Sequence, residues 1–167
     1  TNRQVISEGI FYGLEPAAET LYAPTVPYCA GKLEPYTYSA EEAGRLLDEA
    51  GWVMGRGNIR EKDGRRLELD LLYNSDSVTE KTISEYLQSE YLKLGISLNI
   101  HGEEEQSYRD NMKAGNFDMV FNICWGMPYD PQSSLAAMRA PVYGDYAAQQ
   151  GLEDKAEIDE AITRILT

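Results

Sequence analysis

An indole and a phenol stand four residues apart in Trp125-Gly-Met-Pro-Tyr129, stiffened by the glycine and proline between them. Two flat, half-polar rings held this way can stack on planar or cationic groups and donate one hydrogen bond each. The alternative reading buries Trp125 in the core and leaves Tyr129 on the surface, and position alone does not separate the two. Arg139, between Met138 and Ala140-Pro141, suits either a ligand carboxylate or a structural ion pair. Asn74, Ser75 and Ser77 could hydrogen-bond a ligand, and they equally spell a βα turn with an N-cap. The run Arg60-Glu61-Lys62-Asp63 reads as solvated surface.

Nucleophile and metal chemistry have thin support. The chain has one histidine, His101, and two cysteines, Cys29 and Cys124. His101 and Cys124 both fall at expected strand ends, where a thiolate–imidazole pair could form. Yet Cys124 sits inside an apolar run with no glycine-rich nucleophile turn, the setting of a small buried hydrophobe. A metal site from His101, Glu103, Glu104 and Glu105 competes with a plainer role, in which a glutamate triplet complements a helix start. No phosphate-binding loop, dinucleotide fingerprint, HExxH or GxSxG occurs, so no motif argues for an enzyme.

Charge excludes other classes. Over 167 residues, 15 Lys and Arg face 28 Asp and Glu, a net charge of −13. With no local cluster of basic residues, nucleic acid and anionic membranes are poor partners. No apolar run approaches the roughly 18 residues of a membrane span. The 12 tyrosines, three phenylalanines and two tryptophans provide a core, which argues against disorder. Neither end carries a start or stop signal, so residues 1–167 are expected to be a single domain cut from a larger protein.

The elements that must position these residues follow from periodicity. Val5, Ile6, Gly9 and Ile10 suggest a helix ended by Gly13. A proline- and tyrosine-rich stretch from Pro16 to Tyr38 should run extended over other structure. Ser39-Ala-Glu-Glu42 is a capping box, followed by Ala43, Leu46, Leu47 and Ala50 on one helical face with Gly51 as the stop. Residues 55–66, charged and rich in glycine, suggest a hairpin or loop. Leu67 to Tyr73 alternates as a strand with one wetter face, Thr79–Leu94 is helical, and Ile96, Leu98 and Ile100 form a second strand. A short helix carries Tyr108 and Met112. Met119–Cys124 reads as a strand covered on both faces. This βαβαβ order makes an α/β fold with parallel strands and flanking helices. A loop over Trp125–Ala140 then leads to a final helix, with Asp154 and Glu157 as a capping pair and Ile158, Ala161, Ile162 and Ile165 buried. Ligands of such sheets collect at the carboxyl ends of the strands.

The order of these motifs resembles a known family. Tyr38-Ser-Ala-Glu-Glu-Ala-Gly-Arg-Leu-Leu-Asp-Glu-Ala-Gly-Trp52 is similar to the Y-x-P-E-K-A-K-x-L-L-x-E-A-G-W segment of extracytoplasmic solute-binding proteins that serve peptide and nickel ABC importers. Ala23-Pro-Thr-Val-Pro-Tyr28, Ile59-Arg-Glu-Lys-Asp-Gly64, Gly102-Glu-Glu-Glu105, Trp125-Gly-Met-Pro-Tyr-Asp-Pro131, Met138-Arg-Ala-Pro141 and Gln149-Gln-Gly-Leu152 resemble segments of the nickel branch, in the same order.

The resemblance implies the C-terminal lobe of a periplasmic-binding-protein fold, whose two lobes close on a ligand. It implies a non-enzymatic binding component of an importer, extracytoplasmic, either in the periplasm or lipid-anchored at the outer face of the cell membrane. Its partners would be a small solute, the N-terminal lobe and the importer's membrane subunits. No intrinsic cofactor is implied; the cargo would be a nickel or other metal–chelator complex. Trp125 and Tyr129 match the ligand-facing rings of the W-G-x-P-Y motif. The histidine carried by some nickel-branch members falls at Tyr143, where a phenol of pKa about 10 replaces a good nickel ligand. Arg139 and Tyr143 complete the expected ligand-binding set. A di- or oligopeptide receptor of the same family is the alternative cargo reading, a Cys124-dependent enzyme or a signalling receptor the alternatives beyond transport.

Overall fold

The computed structural model describes residues 1–20, 22, 26, 34–122 and 132–167. The expectations for Cys29, Cys124, Trp125, Tyr129 and about half of the proline-rich stretch therefore lie outside the described residues. Helix α1 (Arg3–Gly9) is capped by the Asn2 side chain, and it ends before the turn that carries Gly13. Helix α2 (Ala40–Glu49) begins as expected, with Ser39 Oγ accepting from Glu42 N–H at 3.1 Å. The Glu42 carboxylate does not complete the box, because it pairs with Arg45 one turn on.

Residues 53–66 fold into a small antiparallel sheet: β1 (Val53–Met54), β2 (Arg60–Lys62) and β3 (Arg65–Arg66), in that order. Lys62 pairs with Arg65 across Asp63-Gly64, both at positive φ, as a two-residue hairpin turn requires. This sheet corrects the reading of Arg60 as solvated surface, since the residue is only 6% exposed. Its Nε donates to Leu94 O at 2.7 Å, and Nη1 donates to Trp52 O and Asp48 Oδ1, both at 2.5 Å. The physical reason is that the carbonyls at the end of a helix lack intrahelical donors, and a guanidinium fork can serve several of them.

The main sheet contains β4 (Glu68–Asn74), β5 (Ser97–Glu103) and β6 (Met119–Val120), all parallel, ordered β5-β4-β6. Helix α3 (Val78–Lys93) and helix α4 (Glu105–Ala114) make the crossovers, completing the βαβαβ order. The register sets Leu69 beside Leu98, and Leu71 beside Ile100 and Met119. Leu71 and Leu98 pack with Leu87 of α3, flanked by Ile83, Tyr86 and Tyr91, to form the core. The opposite face is wetter, as the alternation of β4 implied: Asp70, Asn99 and His101 are exposed there. Among the described residues β5 lies at one edge of the sheet, and Gln88 of α3 donates to its Leu98 carbonyl at 2.7 Å.

The remaining differences are local. Met119 and Val120 are half-buried and Asn122 is exposed, so this end of β6 is not covered on both faces. The expected loop before the last helix contains α5 (Gln132–Ala137), and α6 (Gly144–Ala148) follows it. Both are too short to show a period. Helix α7 (Lys155–Leu166) starts after Asp154, whose side chain makes no capping bond. Packing against α5 turns Ile158, Ile162 and Leu166 inward, leaving Ala161 exposed and Ile165 62% exposed.

Candidate functional site

The carboxyl ends of β4 and β6 open into a crevice of about 580 Å³ between α4 and residues 142–144. Asn74, the last residue of β4, organises one wall. Its backbone N–H donates to Glu80 Oε2 at 2.9 Å, and its carboxamide Nδ2 donates to Glu105 Oε2 at 2.6 Å. Glu105 Oε1 meanwhile accepts from Arg109 Nε at 2.5 Å. The chain Glu80–Asn74–Glu105–Arg109 thus ties the first turns of α3 and α4 to the end of a strand. Asn74 Oδ1 accepts from Asp76 N–H and Ser77 Oγ accepts from Glu80 N–H, so this segment does form a βα turn and N-cap.

The floor is Tyr108, which is buried and donates its hydroxyl to Phe121 O. Burial, followed by the nearby charges of Glu80 and Glu105, pushes its phenol up to about 12. The opposite wall carries Tyr143, at the N-cap of α6. Gly144 is buried against Met112, where an added Cβ would sit 3.3 Å from the thioether sulfur. Asn122 donates to Asp145 Oδ2 at 2.5 Å and so fixes the start of α6 to the end of β6.

The expected site residues divide clearly. Tyr143 lines the crevice and is 50% exposed. Arg139 does not line it; its guanidinium donates to the Thr163 hydroxyl of α7. Trp125 and Tyr129 lie outside the described residues. His101 sits on the wet sheet face, with Nε2 3.0 Å from Asp70 Oδ1. That bond, then the one from Asn99, holds the Asp70 carboxyl below its ordinary range. The glutamate triplet is dispersed: Glu103 accepts from Ser107 at 2.5 Å, and Glu105 belongs to the crevice wall. Among the described residues, no group of three or more His, Cys, Asp and Glu is arranged to hold a metal ion. Two larger hollows lie elsewhere: one of about 650 Å³ between α1, residues 16–19 and Pro35–Tyr38, and one of about 710 Å³ between Pro35–Tyr38 and α2. The second reaches Leu94, at the far end of α3 from the strand carboxyl ends where ligands of such sheets gather.

Comparison with known proteins decides the family. The profile of the bacterial extracellular solute-binding proteins, family 5 Middle, matches residues 1–145. The chain belongs to this family. The nickel-binding periplasmic protein of Escherichia coli K12 is 38% identical over 166 residues, 99% of this chain and 32% of that protein. NikA from Brucella suis, solved in complex with Fe(III)-EDTA, superimposes with a TM-score of 0.93 at 41% identity, over 99% of this chain and 34% of that one. The oligopeptide-binding protein OppA of Mycobacterium tuberculosis H37Rv is 31% identical over 131 residues, 77% of this chain and 21% of its own length. The chain therefore spans about a third or less of the length of the relatives it matches.

Within this family 5 chain, sequence reasoning missed the Asn74 hub and the Asn122–Asp145 clasp. Each joins residues from separate elements, so no local spacing signals it. Glu80 and Glu105, at the starts of the helices after β4 and β5, were the only visible hint.

Proposed function

We propose that this chain is one lobe of the substrate-binding component of an ABC importer, and that it captures a small solute in a cleft closed by a second lobe. The cargo is a metal–chelator complex, nickel or another metal. The crevice at the carboxyl ends of β4 and β6, with Tyr143 on its wall, carries this reading. A half-open pocket of this kind suits a ligand whose other side is gripped by a partner surface. Trp125 and Tyr129, which follow β6 in the sequence, are the stacking rings of this reading. Arg139, turned toward α7, takes a supporting role. The reading includes an extracytoplasmic location and no catalysis.

The kinship to a nickel-binding periplasmic protein at 38% identity, and to NikA, solved with Fe(III)-EDTA, at 41%, each over nearly the whole chain, supports a metal cargo over a peptide. An oligopeptide cargo draws on the 31% relationship to OppA, over a shorter stretch. The deciding experiment isolates the intact two-lobed protein and identifies its co-purifying ligand by mass spectrometry with elemental analysis. A stoichiometric metal with a small organic chelator is expected; a mixture of peptides without metal refutes the reading. In the same protein Trp125→Ala should weaken binding of that ligand, and an unchanged affinity would remove Trp125 from the site.

A further inference from the structure

We infer that Asn122 and Asp145 are positioning residues that latch one movable wall of the crevice, so that a bound solute leaves when their bond breaks. The inference rests on the crevice being the binding site proposed above, and it adds how that site opens. The two walls are held differently. On one side the chain Glu80–Asn74–Glu105–Arg109 ties the end of β4 to the first turns of helices of 16 and 10 residues. On the other, residues 142–144 lead into α6, whose five residues are too few to hold a helix unaided. Its N-cap residue, Tyr143, makes no side-chain cap bond. The place of α6 is therefore set by what it touches.

Two kinds of tie join it to the sheet and α4 among the described residues. Gly144 lies against Met112, and Ala147 lies against Gly115 at the end of α4, with a Cβ added at Gly115 falling 3.7 Å from the Ala147 methyl. These van der Waals contacts have no direction and serve as a pivot. The directional tie is the bond from Asn122 Nδ2 to Asp145 Oδ2, at 2.5 Å. Its anchor is firm, because the preceding Phe121 donates its N–H to Leu72 O at 3.4 Å and accepts from the Tyr108 hydroxyl. The bond itself is exposed at Asn122, so water competes for it and it breaks and re-forms readily. The latched arrangement also carries a cost: at the C-cap of α6, Gln149 buries its Oε1 without a hydrogen-bond partner among the described residues. Opening lets water reach that oxygen, which favours release once the latch is undone. On the outer side the Lys155 ammonium stands 5.5 Å from the Tyr146 ring centroid, which joins α6 to α7 and not to the sheet.

The test uses the intact two-lobed protein and a charge swap. Asn122→Asp sets two carboxylates against each other and breaks the bond. Adding Asp145→Asn restores a donor and an acceptor in exchanged places. Hydrogen exchange of residues 143–150 without ligand reads the latch, and release of Ni(II)–EDTA, followed by tryptophan fluorescence, reads retention. Asn122→Asp should speed both about fivefold, the factor that one exposed hydrogen bond supplies, while exchange in α3 stays unchanged. The double variant should return both to near the wild-type rates. Asn122 also lines the crevice, and a lost direct contact with the solute would not be restored by changing Asp145. Exchange that Asn122→Asp leaves unaltered, or that the swap does not restore, overturns the latch. Release that keeps its wild-type rate while exchange changes and recovers overturns its part in retention. A folded wild type that binds no Ni(II)–EDTA refutes the metal–chelate reading alone, and the exchange rates then decide the latch by themselves.

Discussion

Replacing Arg60 by Met keeps most of the buried aliphatic stem and removes only the charged donors. Two of its bonds, to Leu94 O and Trp52 O, are short and join a charge to a carbonyl. Bonds of that kind contribute about 1.5–3 kcal/mol each, and losing both strands two acceptors, so Arg60→Met should cost about 3–5 kcal/mol. The ion pair with Asp48 contributes little to this sum, because the Asp48 side chain is 64% exposed. Exposed carboxylates of that sort are worth about 0–1 kcal/mol, so Asp48→Ala should cost less than about 1 kcal/mol. Urea unfolding followed by circular dichroism measures both, with the midpoint shifting and the slope preserved. Equal costs for the two variants would mean that the ion pair, not the carbonyl contacts, fastens β2 beneath α2 and α3. An Arg60→Met loss below about 1 kcal/mol would show that water satisfies those carbonyls without help.

Two further outcomes are expected. Gly102→Ala would place a Cβ 2.6 Å from Tyr73 Oη, and Tyr73 is buried; a loss of about 1–3 kcal/mol in the same assay is expected from such overpacking. An effect near zero would mean that the Tyr73 ring moves aside freely. The Asp70 carboxyl is held below its ordinary range by His101 and Asn99, so it binds a proton more readily in the unfolded chain than in the folded one. Its stabilising contribution is therefore present above pH about 4 and lost as pH falls through the lowered folded value. Asp70→Asn should flatten the acid limb of a stability–pH profile, and an unaltered limb would refute the assignment.

The order of strands and helices was legible because it rests on short-range pattern. Ser39 and Ser77 cap their helices through bonds that span three residues, and Leu67 to Tyr73 shows its two faces by alternation alone. Legibility failed where a residue's environment is assembled from distant parts. Arg60 lies in a charged run that reads as surface, yet its partners are Asp48, Trp52 and Leu94, from the segments on either side of the small sheet. The crevice behaves the same way, since Asn74 meets Glu105 across 31 positions of sequence. Tyr143 came from family resemblance, because an isolated tyrosine after a proline has no periodic signature. The short helices α5 and α6 escaped for the opposite reason: five or six residues span less than two turns.

The Gln88 contact to Leu98 bears on how copies of this protein tolerate crowding. The outer margin of a parallel sheet is a template on which a stranger's backbone can zip, the first step toward fibrils and swapped dimers. Here one of its outward acceptors is already occupied by a side-chain amide from within, in the middle of the seven-residue strand. Asn99 and His101 add polar bulk along the same border. A guest chain arriving there would have to evict an internal donor before making its first rung.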